Sequence, residues 1–286
     1  MVAESLIRAG RSIDGGSRDD WIAVHRFIAQ ADAEQHALVL AAVGIGCRLV
    51  AREDQRQSRS SPPIRALVEG FDGALAYCAV LLSLHGTCRR QLSSQDWWSA
   101  GAAQAGLIVD GEWWRTFTAL GLHADFGHLA SNLVFGSLLG LLLAQLLGAG
   151  LAWLAILLGG AMGNALNALL HPTAHTAIGA STAVFAALGL LAALTWSHRA
   201  PLWRYGLRRW LPLAAGVMLL AYLGVGGERT DIGGHFAGFA AGAASGIGLA
   251  YAGQRLPQGT SAQRAFGATA LALFAVAWLL ALPAHG

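Results

Sequence analysis

Seven stretches of this chain are each about as long and as apolar as a bilayer requires, and they dictate what it can fold into. They lie at about residues 70–88, 128–147, 151–171, 180–197, 209–226, 235–252 and 265–283. A spanning α-helix needs roughly 20 apolar residues. Within a bilayer, only helices and closed barrels satisfy every backbone polar group. Composition agrees: 55% of residues are hydrophobic and 12% are charged, against about 25% charged in an ordinary soluble domain. The chain reads as an all-α polytopic membrane protein. Asn164 and Asn167 sit near the end of the third stretch, a placement that buried helix–helix contacts tolerate. Six spans, with the last stretch lying elsewhere, is the alternative arrangement.

Arginine orients the spans. All 19 basic residues are arginine. With the N-terminus in the cytoplasm, 15 of them fall on the inner side: nine within residues 1–66, four between Arg199 and Arg209, and Arg255 and Arg264. Arg89, Arg90, Arg115 and Arg229 are left outside. The positive-inside rule selects this orientation, and seven spans then put the C-terminus outside. Arginine-only basic residues on such a protein point to a bacterial inner membrane. The net charge of +3 reflects an arginine collar beside anionic lipid, so nucleic acid is not an expected partner. Cys47, Cys78 and Cys88 have neither disulfide-framework nor metal spacing.

Three regions follow: residues 1–66 as a small cytoplasmic domain and linker, 67–253 as a six-span core, and 254–286 as a loop and seventh span. The opening MVAESLIRAG has no apolar core or cleavage site of signal-peptide type. The segment RDDWIAVHRF…CRLVARED predicts a helix followed by a second amphipathic helix or a β-hairpin, with Gly44 and Gly46 as breakers. Residues 89–127 predict a hairpin of helices partly in the outer leaflet, with Trp97, Trp98, Trp113 and Trp114 at headgroup level. Arg115, with Trp114 and Glu112, is expected to hold that hairpin together.

Polar residues enter three of the spans near their N-terminal ends. His123, His128 and Asn132 precede or open the second, Ser181 opens the fourth inside IGASTAVF, and His235 opens the sixth inside DIGGHFAG. Even-numbered spans run parallel, so all three ends lie at one membrane face. Ionisable and amide groups are costly in a bilayer, which marks them as functional. A serine at a helix start has unpaired backbone N–H groups around it and the positive end of the helix dipole beneath it, but needs a base to act as nucleophile. His235 is the candidate base, and the Gly238/Gly242 spacing after it permits close helix packing; the rival readings are Ser181 as a helix cap or small contact residue, and His235 as a bridge between headgroups and a neighbouring carbonyl. His128 and Asn132, four apart, share a helical face and are suitable donors for an oxyanion; the rival reading is interhelical polar glue. Gly179 leaves room for a substrate backbone, His123 supports the pair, and Phe185 is placed to stack on His235 or fill the core. Asp231 reads as a helix cap rather than a triad member. His171 and His175 offer only two ligands, so no metal site is expected.

Together, Trp114-Arg115, His123, His128, Asn132, GASTAVFAALG around Ser181 and HFAGFAAG after His235 resemble the rhomboid family of intramembrane serine proteases, over about residues 67–253. The resemblance implies a six-helix rhomboid-like core that cleaves transmembrane protein substrates near the outer face, with no metal or cofactor. It implies Ser181 as nucleophile, His235 as base and then acid, and His128, Asn132 and the Ser181 N–H as oxyanion donors, with Gly179 shaping that hole. Phe185 stands where many relatives carry tyrosine. A catalytically silent binder of transmembrane segments is the alternative, and a transporter using the same residues a third.

Overall fold

The computed structural model describes residues 4–9, 22–27, 47–52, 63–90, 96–199, 231–252, 256–257 and 259–282. The chain divides into two compact units, Met1–Ser60 and Ser61–Gly286. In the first, β1 (Glu4–Ala9), β2 (Ile22–Phe27) and β3 (Cys47–Arg52) form an antiparallel sheet of order β2-β1-β3. Ser5 pairs with Phe27 and Glu4 with Arg52, and the register slips between Ile7 and Arg8. The helix expected over IAVHRF is therefore a strand. Its pairing partner β1 lies well before it, and a non-local partner overrides local helical periodicity in so short a segment.

The second unit is predominantly helical. Helices α1 (Pro63–Arg90), α5 (Phe126–Leu147), α6 (Ala149–Leu170), α7 (Ser181–Arg199), α8 (Ile232–Ala252) and α9 (Thr260–Ala281) follow six of the seven apolar stretches. The stretch at 209–226 lies outside the described residues. Between α1 and α5 come short helices α2 (Trp97–Gly101), α3 (Ala105–Val109) and α4 (Arg115–Thr118), with a 3-10 turn at Ala119–Gly121. By length and composition, Gly70–Arg89, Phe126–Leu147, Ala149–Leu170 and Thr260–Ala281 can each cross a membrane. Ser181–Ser197 is apolar but shorter. These helices make the chain an integral membrane protein.

Local chemistry sets the boundaries. Pro63 occupies the first position of α1, where its missing N–H is not needed. The Asp125 side chain accepts from the His128 N–H at 2.8 Å and caps α5. Gly148, at φ +83°, lets α5 end and α6 begin at once.

Small residues then bring the helices together. A β-carbon on Gly163 of α6 would lie 2.7 Å from both Gly238 Cα and Thr182 Cγ2, so α6, α7 and α8 meet there. Gly238 packs on the Thr182 carbonyl, Gly242 on that of Ala186, and Gly189 on that of Phe239. Close backbone approach of this kind is how membrane helices gain packing energy without a hydrophobic drive between them.

Polar groups fasten the rest. Gln263 of α9 bridges the α5–α6 junction, accepting from Leu151 N–H at 3.0 Å and donating to the Leu147 carbonyl at 3.2 Å. Toward the other end of α9, Trp278 packs on Trp97 with ring centroids 5.2 Å apart. Tyr77 of α1 donates to the Asn132 carbonyl at 2.9 Å.

Candidate active site

The loop between α6 and α7 leads directly into Ser181, the first residue of α7, and the outer hairpin holds that loop from the side. Two-residue strands β4 (Ala103–Gln104) and β5 (Thr176–Ala177) pair antiparallel, Ala103 with Ala177. Ala105 N–H donates to the His175 carbonyl and Gly106 N–H to that of Thr173, both at 2.9 Å. The Gly179 N–H donates to the Ala119 carbonyl at 2.9 Å. Arg115 is the fastener of the hairpin itself. Its side chain is 1% exposed, pairs with Glu112, and donates to the carbonyls of Ser99 at 2.7 Å and Ala102 at 3.0 Å. Trp114 lies beside it, edge-on to Trp113 with ring centroids 6.3 Å apart. Asn164 of α6 donates to the Thr116 carbonyl at 2.8 Å, fixing the hairpin to the bundle.

Gly179 adopts φ +118°, a conformation that residues with a β-carbon rarely take. A β-carbon there would lie 2.6 Å from His128 Cε1, 2.7 Å from His128 Nε2 and 3.7 Å from Ser181 Oγ. The glycine is the gap across which the His128 ring and the Ser181 hydroxyl face one small space. His128 meets His123 edge-on, with centroids 5.1 Å apart.

His123, 1% exposed, is fixed at both nitrogens. Its Nδ1 lies 3.2 Å from the Gly121 carbonyl, and its Nε2 accepts from the Ala180 N–H at 3.3 Å. That pair of contacts requires the neutral ring with the proton on Nδ1. Burial, and after it the neighbouring His128, push the imidazole down to about 4. Asn132, buried on α5, donates from its amide to the His128 carbonyl at 3.0 Å. An amide nitrogen carries two hydrogens, so this bond engages one of them.

His235, 7% exposed, stacks on Phe185 with ring centroids 4.3 Å apart. Phe185 is four residues after Ser181, on the same face of α7. The Gly238–Thr182 contact brings α8 against the first turn of α7. The structure thus gathers Gly179, Ser181, His128, His123, Asn132, Phe185 and His235 at one end of the bundle. Arg115 and Trp114 sit in the supporting hairpin.

Asp231 caps α8: its Oδ1 accepts from the Gly234 N–H at 3.0 Å. Its Oδ2 accepts from Asn167 Nδ2 at 2.6 Å and lies 3.2 Å from His175 Nε2. Burial raises the Asp231 carboxyl, but the hydrogen bonds from Gly234, His175 and Asn167 outweigh it and hold the group below the usual carboxylate range. Both oxygens therefore have partners other than a catalytic imidazole. The grouping of Asp231 with Asn167, His171 and His175 escaped the sequence reading, because it joins α6, the serine loop and α8. The four-residue His171–His175 spacing was its one visible signal.

The rhomboid domain family matches residues 110–252, half of the chain and all of the residues just described from Asp110 onward. Rhomboid protease GluP of Bacillus subtilis (strain 168) is 32% identical over 157 residues, covering 54% of this chain and 30% of that protein. Rhomboid-like protease 3 of Toxoplasma gondii is 34% identical over 148 residues, 50% of this chain and 54% of that one. Chloroplastic rhomboid-like protein 11 of Arabidopsis thaliana is 35% identical over 89 residues, 30% and 32% respectively. The chain spans about half the length, or less, of each of these relatives.

Proposed function

The chain belongs to the rhomboid family, and from that premise we propose that it is an intramembrane serine endopeptidase. Its substrates are membrane proteins with a transmembrane segment, cut near the outer face by a Ser181–His235 dyad. The observation that carries this reading is the stacking of His235 on Phe185, one helical turn from Ser181 on the same face of α7. The glycine contact at Gly238 and Thr182 supports it by holding the two helices in register.

In the proposed cycle, Ser181 Oγ attacks the scissile carbonyl carbon while His235 takes the hydroxyl proton. The tetrahedral oxygen is held by the Ser181 N–H, His128 and the second amide hydrogen of Asn132. Collapse breaks the C–N bond, and His235 returns the proton to the leaving amine. A water then repeats the sequence on the acyl-enzyme and frees Ser181. The substrate helix must unwind locally to expose its carbonyl, so weak helix formers at the cut favour cleavage. His123, neutral and tied to Ala180 N–H, is a positioning residue for the serine loop. In this reading the protein sits in a bacterial inner membrane with its N-terminus on the cytoplasmic side; residues 1–66 are an N-terminal domain and linker, 67–253 the catalytic core, and 254–286 a loop and seventh span.

The test is cleavage of a single-span reporter by the full chain in proteoliposomes, beside labelling by a fluorophosphonate. Wild-type protein cleaves and is labelled on Ser181, whereas Ser181→Ala does neither. Equal cleavage by both overturns the reading. A folded wild-type protein that captures the reporter uncut and takes no label is a binder.

A further inference from the structure

Beside the serine loop, three side chains from separate parts of the chain turn their ligand atoms toward one point. His171 ends α6, His175 lies in the loop leading to Ser181, and Asp231 caps α8. One ligand atom from each lies within 4.8 Å of the others. The two imidazoles stack with centroids 4.3 Å apart and planes 23° from parallel. His171 Nδ1 lies 3.0 Å from the Asn167 carbonyl, which fixes the proton on Nδ1 and leaves the lone pair on Nε2. A metal-binding histidine is commonly held in this way, its other nitrogen donating to a backbone carbonyl. His175 Nε2 lies 3.2 Å from Asp231 Oδ2.

Asn167 provides a second, independent observation. It is 2% exposed, and its Oδ1 is buried without a hydrogen-bond partner among the described residues. A β-carbon on Gly233 would lie 2.8 Å from His171 Nε2 and 2.9 Å from Asn167 Oδ1, so both atoms border the same spot. An orphaned buried acceptor calls for a cation or an ordered water. A metal ion, or the water it binds, satisfies that oxygen. Capping of α8 accounts for Asp231 Oδ1, and the contact with Asp231 Oδ2 for His175 Nε2, but neither accounts for His171 Nε2 or Asn167 Oδ1.

We propose that His171, His175 and Asp231 form a binding site for a divalent transition metal of the zinc class. Two imidazoles and one carboxylate match that class rather than magnesium or calcium, which prefer all-oxygen shells. Three protein ligands leave a fourth position for water, beside Asn167 Oδ1. The side chains need only draw inward from their present spacing, and all three are half-buried, so an ion can enter. The sequence alone offers two ligands here; the helix cap contributes the third. The bound ion ties the loop that precedes Ser181 to the start of the helix that carries His235. The assignment stands independently of the proteolytic reading.

The experiment uses the full chain in detergent, stripped with a chelator and titrated with Zn²⁺ against a chromophoric competitor. Wild-type protein is expected to bind one ion with a dissociation constant of about 1 μM or tighter. Zn²⁺ should raise its unfolding midpoint, as any ligand of the folded state does. His171→Gln with His175→Gln is expected to weaken binding at least about tenfold, while His123→Gln leaves it unchanged. Zinc X-ray absorption on the wild-type protein needs no variant to fold, and should report two imidazole nitrogens and oxygen ligands at about 2.0–2.1 Å. No stoichiometric binding below about 100 μM, undiminished binding by the double variant, or a spectrum without paired imidazoles overturns the site.

Discussion

The His235 imidazole lies against the Phe185 ring at 4.3 Å between centroids, with the planes tilted by 35°. In the proposed dyad, this contact would orient the His235 base of α8 from a residue of α7, the helix that begins with Ser181. Replacing Phe185 with leucine keeps the site apolar but removes three carbons and the flat surface. A large-to-small core change of this size is expected to cost about 1–2 kcal/mol of stability. Turnover, by contrast, is expected to fall about tenfold, equivalent to about 1.4 kcal/mol in the barrier. Phe185→Tyr retains the stacking and most of the rate. Cleavage kinetics of the reporter beside thermal unfolding separate the two effects, and an unaltered turnover in Phe185→Leu removes the orienting role.

Gly179→Ala tests the gap between His128 and Ser181. The backbone at φ +118° disfavours any β-carbon, and the new methyl would meet the His128 ring at 2.6 Å. Strain of this kind costs on the order of 1–3 kcal/mol. If His128 stabilises the oxyanion, displacing its ring lowers turnover by about 100-fold or more. The reporter assay at a temperature where the variant stays folded measures that loss, and a turnover near the wild-type value contradicts the assigned role of His128.

Gly238→Ala probes the helix contact beneath the proposed dyad. The added methyl meets the Thr182 carbonyl, a backbone atom that cannot rotate away. Overpacking is expected to cost about 1–3 kcal/mol and to move His235 away from Ser181. Both the unfolding midpoint and fluorophosphonate labelling should drop together. Labelling at the wild-type rate in a destabilised variant would show that the seam supports the fold without setting the dyad.

Acid should weaken the protein through His123. Its folded value of about 4 lies below the ordinary 6.5, so between these limits the unfolded chain binds the extra proton. Stability from this group is fully present above pH 6.5, declines as the pH falls toward 4, and levels off below. The span is worth on the order of 3 kcal/mol. Physically, a proton on Nε2 would face the Ala180 N–H that now donates to it. Unfolding midpoints between pH 4 and 7 should show the decline, and His123→Gln should flatten it. An equal slope in both proteins assigns the acid sensitivity elsewhere.

What the sequence revealed follows from how far each signal reaches along the chain. Helices over six of the apolar stretches were legible because apolar length is a local property. Ser181, His128, Asn132 and His235 drew notice because polar groups stand out at the head of apolar runs, a signal that is local in the sequence. The β2 strand was misread as helix because its partner β1 is remote and short. Asp231 read correctly as a cap, yet its other oxygen meets His175 and Asn167 across two further elements, and no spacing rule encodes such a meeting. The β4–β5 ladder that steadies the serine loop has two residues per strand, too few for any periodicity to show.

Helix α9 should contribute to the fold rather than to the chemistry. Gln263 supplies the partner for two backbone groups at the α5–α6 turn, Leu147 C=O and Leu151 N–H, and is itself buried. Gln263→Leu preserves the bulk but leaves both groups without that amide. Hydrogen bonds between membrane helices are each worth about 1–2 kcal/mol at most, so a combined loss of about 2–3 kcal/mol is expected. The junction it bridges is the C-terminal end of α5, whereas His128 and Asn132 stand at the N-terminal end of the same helix. Turnover at moderate temperature should therefore match the wild-type value while the unfolding midpoint falls. A variant that unfolds normally but cleaves poorly would instead make α9 part of the catalytic apparatus.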